Sequence, residues 1–159
     1  MVKKIALVIV GLIAGILLYA TTRPDTFQVH RSAVIKAPPE KVFPLINDFK
    51  RWDAWSPWEK KDPAMKRTFS AATTSGKGAS YGWEGNREVG KGRMEITEST
   101  PSSAVALKLE FQEPFESQSA VRFTLEPRGD LTQVTWTMNG PMPYISKVIT
   151  IFCDMDAMI

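Results

Sequence analysis

One histidine, one cysteine and a scatter of carboxylates are what this 159-residue chain offers for chemistry. His30 sits on the outward parity of an alternating run, so a histidine-based triad or metal site is not expected. Cys153 cannot form an internal disulfide, and a lone thiol does not fix the compartment. No Cys/His cluster has metal-ligand spacing, and no glycine-rich phosphate loop follows a strand. Among the carboxylates, strand parity places Glu95 and Glu98 on opposite faces, which spoils them as an acid–base pair. Glu84, beside Gly85-Asn86, points away from the apolar side and reads as a surface or turn residue. The Tyr81 hydroxyl is then the one polar group that parity puts among apolar neighbours. No catalytic residue, metal or cofactor is assigned.

The elements that would position such groups are strands for most of the chain. Residues 27–35 alternate Phe27, Val29, Ala33 and Ile35 against Gln28, His30 and Ser32, which predicts a half-buried strand. Period-two segments follow at 66–71, 79–85, 89–99, 104–112, 117–126 and 132–139. Turn chemistry separates them at 76–78, Gly85-Asn86, Pro101, Glu113-Pro114 and 128–130, so an antiparallel meander is expected. Read by parity, one face carries Tyr81, Trp83, Met94, Ile96, Val105, Leu107, Leu109 and Phe111, continued by Val121, Phe123, Leu125, Val134, Trp136 and Met138. Arg93, Glu95, Lys108, Glu110, Arg122, Thr135 and Thr137 form the solvated face. An apolar face of this kind is what a hydrophobic pocket requires, although inward aromatic and methionine side chains also serve simply as core. Tyr81, Trp83, Met94, Phe111, Phe123, Trp136 and Met138 are the expected cavity lining.

Between the first strand and the meander lies APPEKVFPLINDFKRWDAWSPW, residues 37–58. Pro38 and Pro39 suit a first helical turn, and Val42, Leu45, Ile46 and Phe49 recur at helical spacing. Pro44 should bend this helix. Trp52, Trp55 and Trp58 are spaced by three. Trp55 and Trp58 are assigned to the cavity mouth, with contact to lipid headgroups as the competing use. The cations around them exceed the acids by three, which suits either anionic lipid or an ordinary solvated face.

Residues 5–20 carry no charge, and Lys4 and Arg23 bracket 18 residues, about 27 Å of helix against a hydrocarbon core of about 30 Å. Ile5, Leu12, Leu17 and an interfacial Tyr19 mark this segment as a membrane anchor, with a cleaved signal peptide as the alternative. The short tail bearing Lys3 and Lys4 leans toward tail-in, domain-out, hence an extracytoplasmic domain. The organisation is anchor 1–22, linker 23–26 and domain 27–159. Three of the 20 basic residues flank the anchor and all 17 acidic ones follow it, so the domain balances at 17 against 17. That balance sets nucleic acid aside as a partner. Residues 143–159 regain a helical pattern that stops on apolar residues without a cap, so the chain is expected to be cut short.

Residues 37–58, with GKGRMEIT and TQVTWTM, resemble the START-like (SRPBCC) superfamily, and within it the polyketide cyclase/dehydrase and lipid-transport group. The APPEKVF start and the WSPWEK and DPAMK segments resemble a membrane-anchored bacterial subgroup. The resemblance covers 27–159 and implies an α+β helix-grip: a curved seven-stranded antiparallel sheet, two short helices and a long C-terminal helix, here incomplete. It implies a membrane-anchored protein holding a lipid or other hydrophobic small molecule in the cavity. The alternatives are a cyclase or dehydratase acting on a polyketide-like or aromatic substrate, which needs a second buried polar group near Tyr81, and an interaction domain whose open sheet receives a partner's helix. Oligomeric state is left open.

Overall fold

The computed structural model describes residues 2–152 and separates into two compact units: one formed by the two ends of the chain, up to Phe27 and from Pro141 on, the other by Gln28–Gly140. The first unit is built on α1 (Val2–Thr21), whose Lys3–Thr21 stretch is long and apolar enough to cross a membrane. Ile5, Leu12, Leu17 and Tyr19 are all exposed on it. Its last carbonyls are capped by the hydroxyls of Thr21 and Thr22, which donate to Leu18 and Tyr19, as an unpartnered helix end requires. A short helix, α4 (Tyr144–Ile149), packs on α1 through the Tyr144 hydroxyl, which donates to the Leu17 carbonyl at 2.8 Å. Lys147, buried on α4, pairs with Asp25. The helical stretch expected over 143–159 is realised at α4, while 153–159, with Cys153, lie outside the described residues.

The second unit is a seven-stranded sheet in the order β1-β7-β6-β5-β4-β3-β2. Its strands are β1 (Thr26–Ile35), β2 (Lys66–Phe69), β3 (Ser80–Glu84), β4 (Lys91–Thr100), β5 (Ala104–Glu113), β6 (Ser117–Arg128) and β7 (Leu131–Pro141). Each expected strand is present within a few residues, and the sheet with its helices is the α+β helix-grip arrangement, with a short C-terminal helix. Hairpins join β3 to β7 in sequence order, so a meander fills the sheet and β1 returns to the far edge beside β7.

Between β1 and β2 come α2 (Pro39–Asn47), a 3-10 helix (Phe49–Ala54) and α3 (Pro57–Lys61). Prolines open both α-helices, where a missing N–H costs nothing, and α2 runs on through Pro44. The tryptophan spacing now has a cause. The Trp52 indole N–H donates to the Ile46 carbonyl at 2.9 Å and that of Trp55 to the Leu45 carbonyl at 2.8 Å. Two carbonyls left open in the last turn of α2 are thereby satisfied, and the 3-10 turn is folded back under the helix.

The core lies between the sheet and these helices: Val42, Ile46, Phe49 and Trp52 against Tyr81, Trp83, Ile96, Val105, Leu107, Val121, Phe123, Leu125 and Val134. Leu45 departs from the expected helix face and is 38% exposed, while Val42, Ile46 and Phe49 on that face are buried. The half-buried reading of β1 holds only at Phe27 and Val29; Ala33 and Ile35 are exposed with the rest of the strand. β1 is an edge strand, with a sheet neighbour on one side only.

A second correction concerns β4. The β4–β5 register shifts between Ile96 and Glu98, so Ile96 faces Leu107 while Glu98 faces Ala106. The extra residue, Thr97, is a β-bulge that resets the alternation. Glu95 and Glu98 therefore share the outward face instead of opposing it. Each has an arginine there: Arg93 at 3.2 Å from Glu95 and Arg122 at 2.7 and 3.0 Å from Glu98. The bidentate Arg122 pair holds the Glu98 carboxyl below the usual range. Both carboxylates are solvent-facing partners of arginines, which still leaves no acid–base pair.

Candidate functional site

Parity on β3, β4 and β5 carries an aromatic ladder across the inner face. Tyr81 stacks between Phe49 (centroids 5.7 Å apart) and Trp83 (6.1 Å), with Phe69 at 5.3 Å on β2. Trp83 meets Phe111 edge-on at 5.5 Å. The ladder needs a gap, and Gly92 supplies it: Trp83 pairs with Gly92 and Gly92 with Phe111. A Cβ at Gly92 would stand 2.4 Å from Trp83 Cζ2 and 2.5 Å from the Glu110 carbonyl oxygen. The indole lies over the bare backbone of β4, and its N–H donates to the Val89 carbonyl at 3.0 Å.

The expected lining residues fall into three groups. Tyr81, Trp83 and Phe123 are buried in the core. Met94, Phe111, Trp136 and Met138 are half-buried and pack on that core together with Leu109. Trp55 and Trp58 lie further out. Trp55 sets its edge on Phe123 at 6.1 Å, whereas Trp58 on α3 is 47% exposed, with the Lys61 ammonium 4.3 Å above its ring. The open part of the inner face is thus the strip of Met94, Leu109, Phe111, Trp136 and Met138. A groove of about 210 Å³ also lies on the other face, where Lys66, Glu84, Lys91 and Arg93 border Gly82, Trp83 and Gly92.

One group was missed in the sequence. Glu59 on α3 is 9% exposed. Its Oε1 accepts from the Tyr81 hydroxyl at 2.5 Å and its Oε2 accepts from Arg67 Nε–H at 2.7 Å. Arg67 also donates from Nη1 to the Met65 carbonyl at 2.7 Å. Burial, and then the Glu59 carboxylate, hold the Tyr81 phenol well above its ordinary 10.0; the bond to Glu59 raises Arg67 in turn. A carboxylate taken out of water is retained only where it is paired and hydrogen-bonded, and here both oxygens are. The signal that could have found it is Arg67, which shares the inward parity of β2 with Phe69 and pairs with Trp83. A guanidinium on an apolar face demands a carboxylate nearby.

Chemically the arrangement is a closed polar clamp beside an apolar strip. Tyr81 keeps its proton at neutral pH, and both its neighbours are engaged. Among the described residues no group of three or more His, Cys, Asp or Glu side chains is placed to hold a metal. His30 is exposed.

Solved structures share this fold. Mll3558 protein from Rhizobium loti superposes with a TM-score of 0.58 at 17% identity, over 72% of this chain and 78% of its own. MLL2253 from Mesorhizobium loti gives 0.56 at 21% identity, over 74% and 79%. Ginseng major latex-like protein 151 from Panax ginseng gives 0.53 at 14% identity, over 85% and 98%. At these identities the likeness is one of fold. No curated protein matches the chain. Residues 26–148 match the family described as polyketide cyclase / dehydrase and lipid transport, and the chain belongs to that family.

Proposed function

We propose that this protein is a membrane-tethered binding module that holds a lipid-like or other hydrophobic small molecule on the inner face of its sheet. The observation that carries the reading is the strip of Met94, Leu109, Phe111, Trp136 and Met138, left half-buried beside a complete core. Aromatic rings and flexible thioethers suit a ligand recognised by shape and apolar area more than by hydrogen bonds. Membership of a family that includes lipid transport supports it. Tethering is through α1, with Ile5, Leu12, Leu17 and Tyr19 facing lipid, and the short tail with Lys3 and Lys4 favours an extracytoplasmic domain over the opposite orientation.

The test is native mass spectrometry of the full chain released from detergent micelles or nanodiscs. A bound apolar adduct of defined mass, lost in Trp136→Ala, supports binding. Empty protein after reconstitution in a cellular lipid extract argues against it.

A second reading, a cyclase or dehydratase acting in the same place, gains from Glu59, the second polar group that such chemistry requires near Tyr81. It must contend with both oxygens of Glu59 being occupied. Turnover of a polyketide-like substrate that is abolished by Glu59→Gln, with ligand binding retained, would favour it.

A further inference from the structure

Three segments at one end of the sheet are tied into one platform. In the β3–β4 loop the Asn86 N–H donates to Asp62 Oδ2 at 2.7 Å, and its side-chain amide donates to the Lys61 carbonyl at 3.4 Å. The loop is thereby fixed to the end of α3. Gly90, at φ +64°, approaches the β5–β6 turn so closely that a Cβ would stand 2.3 Å from the Glu113 carbonyl oxygen and 3.4 Å from Pro114 Cδ. Two large apolar side chains protrude from these segments: Phe115 in the β5–β6 turn, 82% exposed, and Trp58 on α3, 47% exposed. A rigidly mounted phenylalanine held in water gives up its transfer free energy unless something covers it.

Strand pairing fixes which end of the sheet this is. Lys91 faces both Glu84 and Glu113, Phe111 faces Ser117, and Ala120 faces Asn139. Beyond them the Met142 N–H donates to the Asp25 carbonyl at 2.7 Å. The platform therefore stands at the end where β1 begins. Only residues 22–25 separate that beginning from α1, a link that reaches about 15 Å at full extension. Phe111 and Met138, two members of the half-buried strip, lie near this same end of their strands.

We propose that Phe115 and Trp58 insert into the interfacial layer of the bilayer that holds α1, so that a hydrophobic ligand passes between the membrane and the inner face of the sheet without crossing water. The occupant is a lipid surface, and the short tether is what selects it over a protein partner. Charge does not drive the contact. Lys60, Lys61, Arg87 and Lys91 are offset by Asp62, Glu84, Glu88, Glu113 and Glu116, so a zwitterionic bilayer suffices. Tryptophan with a lysine above its ring is at home at the headgroup level. The inference rests on the membrane-tethered binding reading and adds to it the surface and the source of the ligand.

The experiment uses the full chain in phosphatidylcholine liposomes, with Cys153→Ser and a single environment-sensitive fluorophore placed by Phe115→Cys or, at the opposite end of the sheet, by Asp130→Cys. Docking is expected to give a blue-shifted probe at 115, quenched several-fold more by shallow spin-labelled lipid than by aqueous iodide, with the reverse order at 130. Iodide quenching dominant at both positions overturns the docking. Trp58→Asp with Phe115→Asp is expected to slow transfer of fluorescent phosphatidylcholine between liposomes about tenfold. Lipid quenching at 115 with no transfer by the parent protein would sink the binding reading while leaving the contact. Release of the chain by alkaline carbonate would sink the tether and the inference with it.

Discussion

The Tyr81 hydroxyl donates to Glu59 at 2.5 Å, and this one bond ties α3 to the third strand of the sheet. Because Arg67 of β2 holds the other carboxylate oxygen, a single buried residue pins a short helix to two strands. α3 is five residues long, too short to hold its shape without such contacts.

Glu59→Ala is accordingly expected to destabilise the domain by about 1–3 kcal/mol, the cost of leaving a buried donor without an acceptor. Tyr81→Phe should cost less, since it removes one donor and leaves Glu59 paired with Arg67. In a double-mutant cycle the two changes should couple by about 1 kcal/mol or more, as members of one network do. Chemical denaturation of the four proteins measures this directly, and additive effects would mean that the bond carries no net energy.

The same bond sets a pH dependence. The folded-state pKa of Tyr81 is raised, first by burial and then by Glu59. The folded protein thus keeps the phenolic proton after the unfolded chain has begun to lose it. Stability from this group is complete below the ordinary value of 10.0 and falls as pH rises beyond it, because the unfolded state then binds fewer protons. The difference in unfolding free energy between the parent and Tyr81→Phe should be flat from pH 7 to 9 and narrow above 10. A difference that stays constant to pH 11 would show that Tyr81 titrates alike in both states.

Gly92→Ala tests the aromatic ladder. The added methyl meets the Trp83 ring at 2.4 Å and a backbone carbonyl at 2.5 Å. The ring is held by its bond to Val89 and by Tyr81 and Phe111, and the strand carbonyl cannot yield without loosening the β4–β5 pairing. A loss of about 1–3 kcal/mol is expected, as for overpacked cores, together with a changed near-ultraviolet circular dichroism signal from Trp83. An unchanged spectrum and stability would mean that the sheet breathes more than its packing implies.

Most of the sheet was legible because alternation is a local property: inward and outward residues of β3, β5, β6 and β7 follow from counting by twos. The failures have physical causes too. The bulge at Thr97 reverses parity without a glycine or proline to announce it, which put Glu98 on the wrong face. Ala33 and Ile35 obey the alternation of a half-buried strand yet are exposed, because what covers a face of the sheet is not written in its period. Glu59 sits in a charged run, WEKKDP, where an isolated carboxylate looks solvated. Its burial depends on Tyr81 and Arg67, 22 and 8 residues away in the chain. Of the candidate lining, sequence supplied the face but not the depth, since packing by Phe49 and Trp52 decides which rings close into the core.

That division of depth yields a contrast between two tryptophans on the same face. Trp83 is buried, bonded through its indole and wedged over Gly92, so Trp83→Ala should cost about 3–5 kcal/mol and impair binding only as far as it unfolds the domain. Trp136 is half-buried, packed on the core but open along one side. Its truncation should cost clearly less stability while weakening retention of an apolar ligand by tenfold or more. Titrating both variants with a solvatochromic hydrophobic probe, alongside their unfolding curves, separates the two quantities. If Trp83→Ala weakens binding more than Trp136→Ala at temperatures where both are folded, the ligand lies deeper than the half-buried strip, among residues assigned to the core.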